Sequence, residues 1–243
     1  MPALRITLAQ INPTLGDIEG NIQLILEAAQ HAFSQQSHLV VFPELSLTGY
    51  YPADLLNEED FLEKVEQGLD TIREHTKETP HLYWVIGAPI ENKHAGQKLL
   101  NALLVITNGE IIYTYAKQLL PNYNIFNERR HFEPGQHPPK TITIQQHSVG
   151  FLICEDGWND NERTYAINPL KQLALQSPDL IISINASPSN LGKQQERLAL
   201  FSAASKHYQR PIIFVNQIGG HDQLIFDGAS FCVTPKTGVA FQA

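Results

Sequence analysis

Glu44, Lys117 and Cys154 are the residues whose types could together carry out covalent chemistry, and each stands where an apolar run gives out. Glu44 follows Leu39-Val40-Val41-Phe42-Pro43, Lys117 follows Ile111 to Ala116, and Cys154 follows Gly150-Phe151-Leu152-Ile153. Runs of that kind read as buried strands, and the ends of strands in layered α/β folds are where sites are usually assembled. A thiol there is a potential nucleophile, reactive as its thiolate. A carboxylate beside it can take the thiol proton and later activate water. An ammonium can lower the thiol pKa and stabilise an oxyanion. Taken singly, each residue has a plainer use: Cys154 as a core thiol, Glu44 and Lys117 as an exposed ion pair of about 0–1 kcal/mol.

The elements that must position these groups alternate along the chain. Strands are expected at 4–10, 39–42, 83–87, 101–106, 110–115, 141–145, 150–153, 180–185, 212–216 and 230–233. Helices are expected at 21–35, 58–78, 168–175 and 194–207, where apolar residues recur at helical spacing. Asn108-Gly109 is a hairpin signal, so the strands on either side should pair antiparallel. Residues 118–139 read as a long irregular segment, and Thr237-Gly238-Val239 as a turn into a returning strand that has just begun. No repeat or linker interrupts the pattern, which predicts one mixed α/β domain. The last strands could be incomplete, as in a domain cut from a longer chain.

Composition removes several function classes. The 243 residues carry a formal net charge of -8, and no basic run is dense enough for nucleic acid or an anionic membrane. No apolar run approaches the roughly 18 residues of a membrane helix, and the N-terminus shows no signal-peptide pattern. The two cysteines, Cys154 and Cys232, form no CxxC pair, and the ten histidines make no HExxH. No metal site is expected, and a cytoplasmic location is. A disulfide between the two cysteines stays open on spacing alone.

Phe42-Pro43-Glu44, Tyr115-Ala116-Lys117 and Ile153-Cys154-Glu155 resemble the Glu-Lys-Cys signature of the nitrilase (carbon–nitrogen hydrolase) superfamily. The longer phrases at 42–56, 120–135, 185–188 and 215–230, with Gln217-Ile218-Gly219-Gly220 and Phe226-Asp227-Gly228 inside the last, are similar to the glutaminase branch found in glutamine-dependent NAD⁺ synthetases. The resemblance covers essentially the whole chain. It implies a nitrilase-type αββα sandwich and an amidohydrolase that cleaves L-glutamine through a γ-glutamyl thioester on Cys154. Glu44 would be general base and acid, and Lys117 the oxyanion donor, helped by a backbone N–H near Cys154. Glu128 matches the second glutamate beside the lysine. Tyr50, Tyr123, Glu155, Ser187 and Lys193 match positions lining the glutamine pocket, where a zwitterion needs an anion for its ammonium and a cation for its carboxylate. Self-association into a homo-oligomer is implied as well.

One departure limits the reading. Members of that branch carry a second, synthetase domain that uses ammonia, ATP and Mg to amidate deamido-NAD⁺. Nothing here matches its Ser-Gly-Gly-x-Asp-Ser loop, a Walker pattern or GxGxxG. No cofactor is therefore expected in this domain, with ATP and Mg confined to the absent one. The chain reads as the ammonia-producing half. The same residues would also serve a free-standing amidase on another small amide, or a weakly active scaffold that assembles with a synthetase.

Overall fold

The computed structural model describes residues 3–159 and 164–243. Its strands are β1 (Ile6–Leu8), β2 (Leu39–Val41), β3 (Tyr83–Glu91), β4 (Leu99–Thr107), β5 (Glu110–Ala116), β6 (Thr141–Ile144), β7 (His147–Ile153), β8 (Leu180–Asn185), β9 (Ile212–Asn216), β10 (Ile218–His221), β11 (Leu224–Asp227), β12 (Phe231–Thr234) and β13 (Gly238–Gln242). The α-helices are α1 (Ile18–Ser34), α2 (Glu59–Thr76), α3 (Pro169–Ala174) and α4 (Lys193–Tyr208). Among the described residues no helix is long and apolar enough to cross a membrane.

Two sheets form the centre. The first runs β1-β2-β3-β4-β5, the second β13-β12-β9-β8-β7-β6, and β10-β11 is a separate hairpin. β1, β2 and β3 are parallel, whereas β4 and β5 return antiparallel. In the second sheet β7, β8 and β9 are parallel, flanked by antiparallel β6 and β12. The inner strands β2, β3, β4, β7, β8 and β9 are buried on both faces, which is why they read as continuous apolar runs, whereas the outer β5 and β13 are largely exposed.

Alternation along each strand divides the side chains between layers. In β2, Leu39 and Val41 face the second sheet, where they join Val85, Leu103, Phe151, Ile153, Ile182 and Val215 in one core. Val40 and the adjoining Phe42 point the other way, with Trp84 and Ile86, against Ile22, Ile25 and Ala29 of α1 and Val65 and Ile72 of α2. A third core packs Leu152, Ile181, Phe214 and Phe231 against Leu173 of α3 and Phe201 of α4. The order of layers is α, β, β, α. Each large aliphatic side chain so buried contributes about 1.5–3 kcal/mol.

Several boundaries differ from expectation, each for a local reason. α1 begins at Ile18 rather than residue 21, because Asp17 caps it, its carboxylate accepting from Gly20 N at 3.0 Å. β1 is shorter than 4–10. β3 runs on through Pro89 to Glu91, since antiparallel pairing with β4 continues past the proline to Leu99. The turn at Asn108-Gly109 forms with positive φ at both residues, 50° and 81°, as a two-residue hairpin requires. The irregular segment contains a short 3₁₀ turn, Glu128–Arg130. The β10-β11 hairpin was not expected, because Gly219 and Gly220 hide its alternation. The returning strand begun at Thr237 extends as β13 and pairs antiparallel with β12.

Candidate active site

Glu44, Lys117, Glu128 and Cys154 converge where the two sheets meet. β2 delivers Glu44 into a wholly buried loop that packs directly on β3. Gly87 permits that approach: a Cβ there would lie 2.4 Å from Leu45 N and 2.6 Å from Pro43 O. Lys117 leaves β5 with its backbone held on both sides, its N–H donating to Asn101 O and its carbonyl accepting from Gly135 N, both at 2.8 Å. Gly135 is constrained in the same way, since a Cβ would meet Ala116 O at 2.2 Å. Cys154 opens a 3₁₀ turn, Cys154–Gly157, directly at the end of β7. Its φ of 42° lies in the left-handed region. A non-glycine residue there carries roughly 1–3 kcal/mol of backbone strain, a feature concentrated at functional sites.

The charged groups are buried and share partners. Lys117 Nζ donates to Glu44 Oε1 and to Glu128 Oε1, each at 2.7 Å, and none of the three side chains is exposed. Glu44 Oε1 also accepts from Asn101 Nδ2 at 2.8 Å, and Oε2 from Ala186 N at 3.1 Å. Tyr50 OH donates to Glu128 Oε1 at 2.6 Å. Burial works to strip the Lys117 ammonium of its proton, but Glu128 and Glu44 outweigh it and hold the group well above the ordinary ammonium value. Burial raises Glu128 to about 7, against the opposing pull of Lys117. Burial likewise keeps Tyr50 a protonated donor.

At the thiol the Lys117 ammonium pulls downward as expected but is outweighed. Burial first, then the Glu44 carboxylate, pushes Cys154 well above the usual thiol range, and Lys117 only partly offsets them. The ammonium therefore does not leave a resting thiolate. Proton removal has to accompany attack, which requires a base at hand.

The residues matched to a substrate pocket lie around this centre, most of them already partnered. Glu155 accepts from Tyr123 OH at 3.0 Å and from Tyr165 OH at 2.9 Å. Ser187 Oγ accepts from Arg197 Nε at 3.1 Å, and its N–H donates to Asn216 Oδ1 at 2.9 Å. Lys193, the first residue of α4, lies 3.8 Å over the Trp158 ring and pairs with Glu196 at 2.9 Å. The Tyr50 hydroxyl is turned to Glu128 rather than left open. Both cysteines are free thiols.

Four residues with a part in this arrangement escaped sequence reasoning: Asn101, Tyr165, Arg197 and Asp156. Arg197 is fully buried, donates to Ser187 O and Pro188 O, and pairs with Asp227 at 2.7 Å. It fixes the loop that presents Ala186 N to Glu44. A signal existed, because Arg197 lies on the helix stripe shared with the apolar Phe201 and Ala204. Asp156 had none. It joins the loops after β7 and β5 by accepting from Gln118 N and Leu119 N at 3.1 and 2.9 Å, and from Tyr115 OH at 2.8 Å.

Burial outweighs these donors and raises Asp156 from 3.8 to about 7. Its support for the fold is then complete below the unfolded value and is lost as pH rises through the folded one. Asp156→Asn keeps an oxygen for both N–H groups and has no proton to lose. The difference in Tm between variant and wild type is expected to move in the variant's favour from about pH 4 to pH 7. A difference that stays constant over that range would mean that Asp156 ionises in the fold at no cost.

Four layers, with a thiol, an ammonium and two carboxylates gathered at the strand ends between them, are the architecture of a layered α/β hydrolytic enzyme. The chain belongs to the carbon–nitrogen hydrolase family, whose model matches residues 5–243. A glutamine-dependent NAD(+) synthetase of Aquifex aeolicus is 38% identical, over 96% of this chain and 39% of its own length. The structure of a glutamine-dependent NAD+ synthetase from Acinetobacter baumannii superposes with a TM-score of 0.88 at 34% identity, covering 99% of this chain and 43% of that one. An amidase from Nesterenkonia sp. AN1 shares the fold, with a TM-score of 0.85 at 22% identity over 99% of this chain and 86% of its own. The chain thus spans about two fifths of the length of the synthetases it matches.

Proposed function

We propose that this chain hydrolyses L-glutamine to glutamate and ammonia through a thioester on Cys154. The observation that carries this reading is Lys117 Nζ held at 2.7 Å by both Glu44 and Glu128 in a fully buried cluster next to that thiol. Glu44 takes the thiol proton as Sγ attacks the side-chain amide carbon, and Lys117 stabilises the oxyanion that forms. The carbon–nitrogen bond breaks as Glu44 returns its proton to the leaving nitrogen, releasing ammonia. Glu44 then deprotonates a water that attacks the thioester, and collapse gives glutamate and the free thiol. Glu128 keeps Lys117 charged and in place. Glu155 serves the α-ammonium and Lys193 the α-carboxylate, with Tyr50, Tyr123 and Ser187 completing the pocket.

The likeness to the synthetases supports a wider role. Ammonia made here would be consumed by a synthetase domain of the same full-length polypeptide, which would bind ATP and Mg and amidate deamido-NAD⁺, this domain itself using no cofactor. We place the protein in the cytoplasm, as a homo-oligomer. The test is ammonia release from L-glutamine beside L-asparagine and acetamide, with acid-quenched peptides weighed for a glutamyl adduct on Cys154. Glutamine is expected to exceed the other amides by at least about tenfold, since acetamide leaves the pocket's charged groups unpaired and asparagine, one methylene shorter, cannot reach them and Cys154 together. Equal rates on all three would instead favour a general small-amide hydrolase.

A further inference from the structure

Asn101 sits in β4, in an otherwise apolar run, and is 1% exposed. Its Nδ2 lies 2.8 Å from Glu44 Oε1 and 3.5 Å from Glu128 Oε2. Glu44 Oε1 is an acceptor here, taking a hydrogen bond from Lys117 as well, so the amide turns its NH₂ to it. The consequence falls on the other end of the amide. Asn101 Oδ1 is buried without a hydrogen-bond partner among the described residues. An orphaned buried acceptor is destabilising, and a leucine or valine at this strand position would avoid it. A residue kept at such a cost to the fold is expected to act in the site.

We propose that Asn101 is a positioning residue that holds the Glu44 carboxylate aimed at Cys154, donating one amide hydrogen to Glu44 and directing the other toward Glu128. This rests on the reading of Glu44 as general base. The groups that face Glu44 come from several elements: Lys117 after β5, Glu128 from its 3₁₀ turn, Cys154 after β7, Tyr50 from the loop beyond β2 and the Ala186 N–H after β8. Glu155, next to Cys154, adds a further negative charge near the thiol. Lys117 and the Ala186 N–H donate to the Glu44 carboxylate, at 2.7 and 3.1 Å. Asn101 adds a donor without adding charge, and separates the two carboxylates that share one ammonium. Its backbone carbonyl also accepts the Lys117 N–H, at 2.8 Å. Base and ammonium are thereby tied to the same residue.

The test reads the base without requiring turnover. Iodoacetamide alkylates Cys154 as the Sγ–C bond forms, iodide leaves and the thiol proton passes to Glu44. Rates are measured against pH for wild type, Asn101→Ala, Asn101→Asp and Glu44→Gln, with peptide masses separating Cys154 from Cys232. Asn101→Ala is expected to slow alkylation about tenfold at neutral pH and to move its acid limb upward by about one pH unit. Asn101→Asp, of the same size, places a third carboxylate in the cluster and should move the limb further up. A purely structural role would lower the rate without moving the limb. Asn101 variants that follow the wild-type profile while Glu44→Gln is slow would overturn the inference alone. Glu44→Gln that reacts like wild type would overturn the base assignment, and this inference with it.

Discussion

Replacing Cys154 with alanine is expected to reduce glutamine hydrolysis by at least about 10⁴-fold, because the proposed route has no other nucleophile to form the acyl intermediate. What remains is a carboxylate and an ammonium able to act on water alone. The loss should not come from the fold. Cys154 is only partly buried, alanine is smaller, and both residues meet the same strain at a φ of 42°. A Tm within a few degrees of wild type is therefore expected, equivalent to about 1 kcal/mol in a domain of this size. Ammonia release and a thermal melt on the same preparations separate the two effects. Turnover surviving within tenfold of wild type would remove the thioester route and recast Glu44 and Lys117 as a water-activating pair.

The three strand-end groups could be located because each follows an apolar run. For β2 and β7 the run reflects burial on both faces, and for the largely exposed β5 it reflects β-branched and aromatic composition. Val40 and Val41 are each fully buried, though they point into different cores. Such strands read as unbroken apolar runs, and the first polar residue beyond each run is conspicuous. The contacts that organise those groups were not legible in the same way. Tyr50 reaches Glu128 across 78 positions and Ala186 reaches Glu44 across 142. No local pattern encodes pairings that depend on how two sheets stack. Asn101 is an intermediate case: a polar residue amid Leu100, Ala102 and Leu103 is a visible anomaly, but its partners Glu44 and Glu128 become visible only in the folded chain.

Stacking also explains why the site depends on the whole sandwich. Glu44 and Lys117 leave the first sheet, whereas Cys154 and Ala186 leave the second. Their relative placement is set by the core between the sheets, where Val41, Val85 and Leu103 meet Phe151, Ile153 and Ile184. Asp156 and Arg197 then fix the loops that emerge from it. A substitution in that core that shifts one sheet against the other should impair chemistry before it unfolds the chain, since catalytic geometry is sensitive to displacements of about 1 Å.

Lys117→Met should have the largest combined effect on rate and stability. In the wild type a single ammonium bridges two carboxyl groups, each 2.7 Å from it and all three unexposed. Removing one partner of a buried ion cluster leaves uncompensated charge and typically destabilises by about 3–5 kcal/mol. The oxyanion loses its donor as well, for a further fall in rate of about 10²–10³. The pH dependence tells this account apart from simple repacking. The folded pKa of Lys117 is raised, so its contribution is complete below the unfolded value near 10.5 and is intact at neutral pH. In the variant, Glu44 and Glu128 face each other unneutralised, and one of them must keep a proton. A carboxyl whose folded pKa is raised supports the fold below its unfolded value of about 4.5, and that support is lost as pH rises through the folded pKa. The stability deficit of Lys117→Met should therefore be smallest near pH 5 and widest near pH 8, measured by denaturant melts at each. Lys117→Arg keeps the charge on a planar fork of different reach. It should recover most of the stability and little of the rate. A Lys117→Met deficit that is equal at both pH values would mean that Glu44 and Glu128 reach solvent in the folded chain, and a water-excluded centre could not then be what raises the thiol pKa and calls for a base.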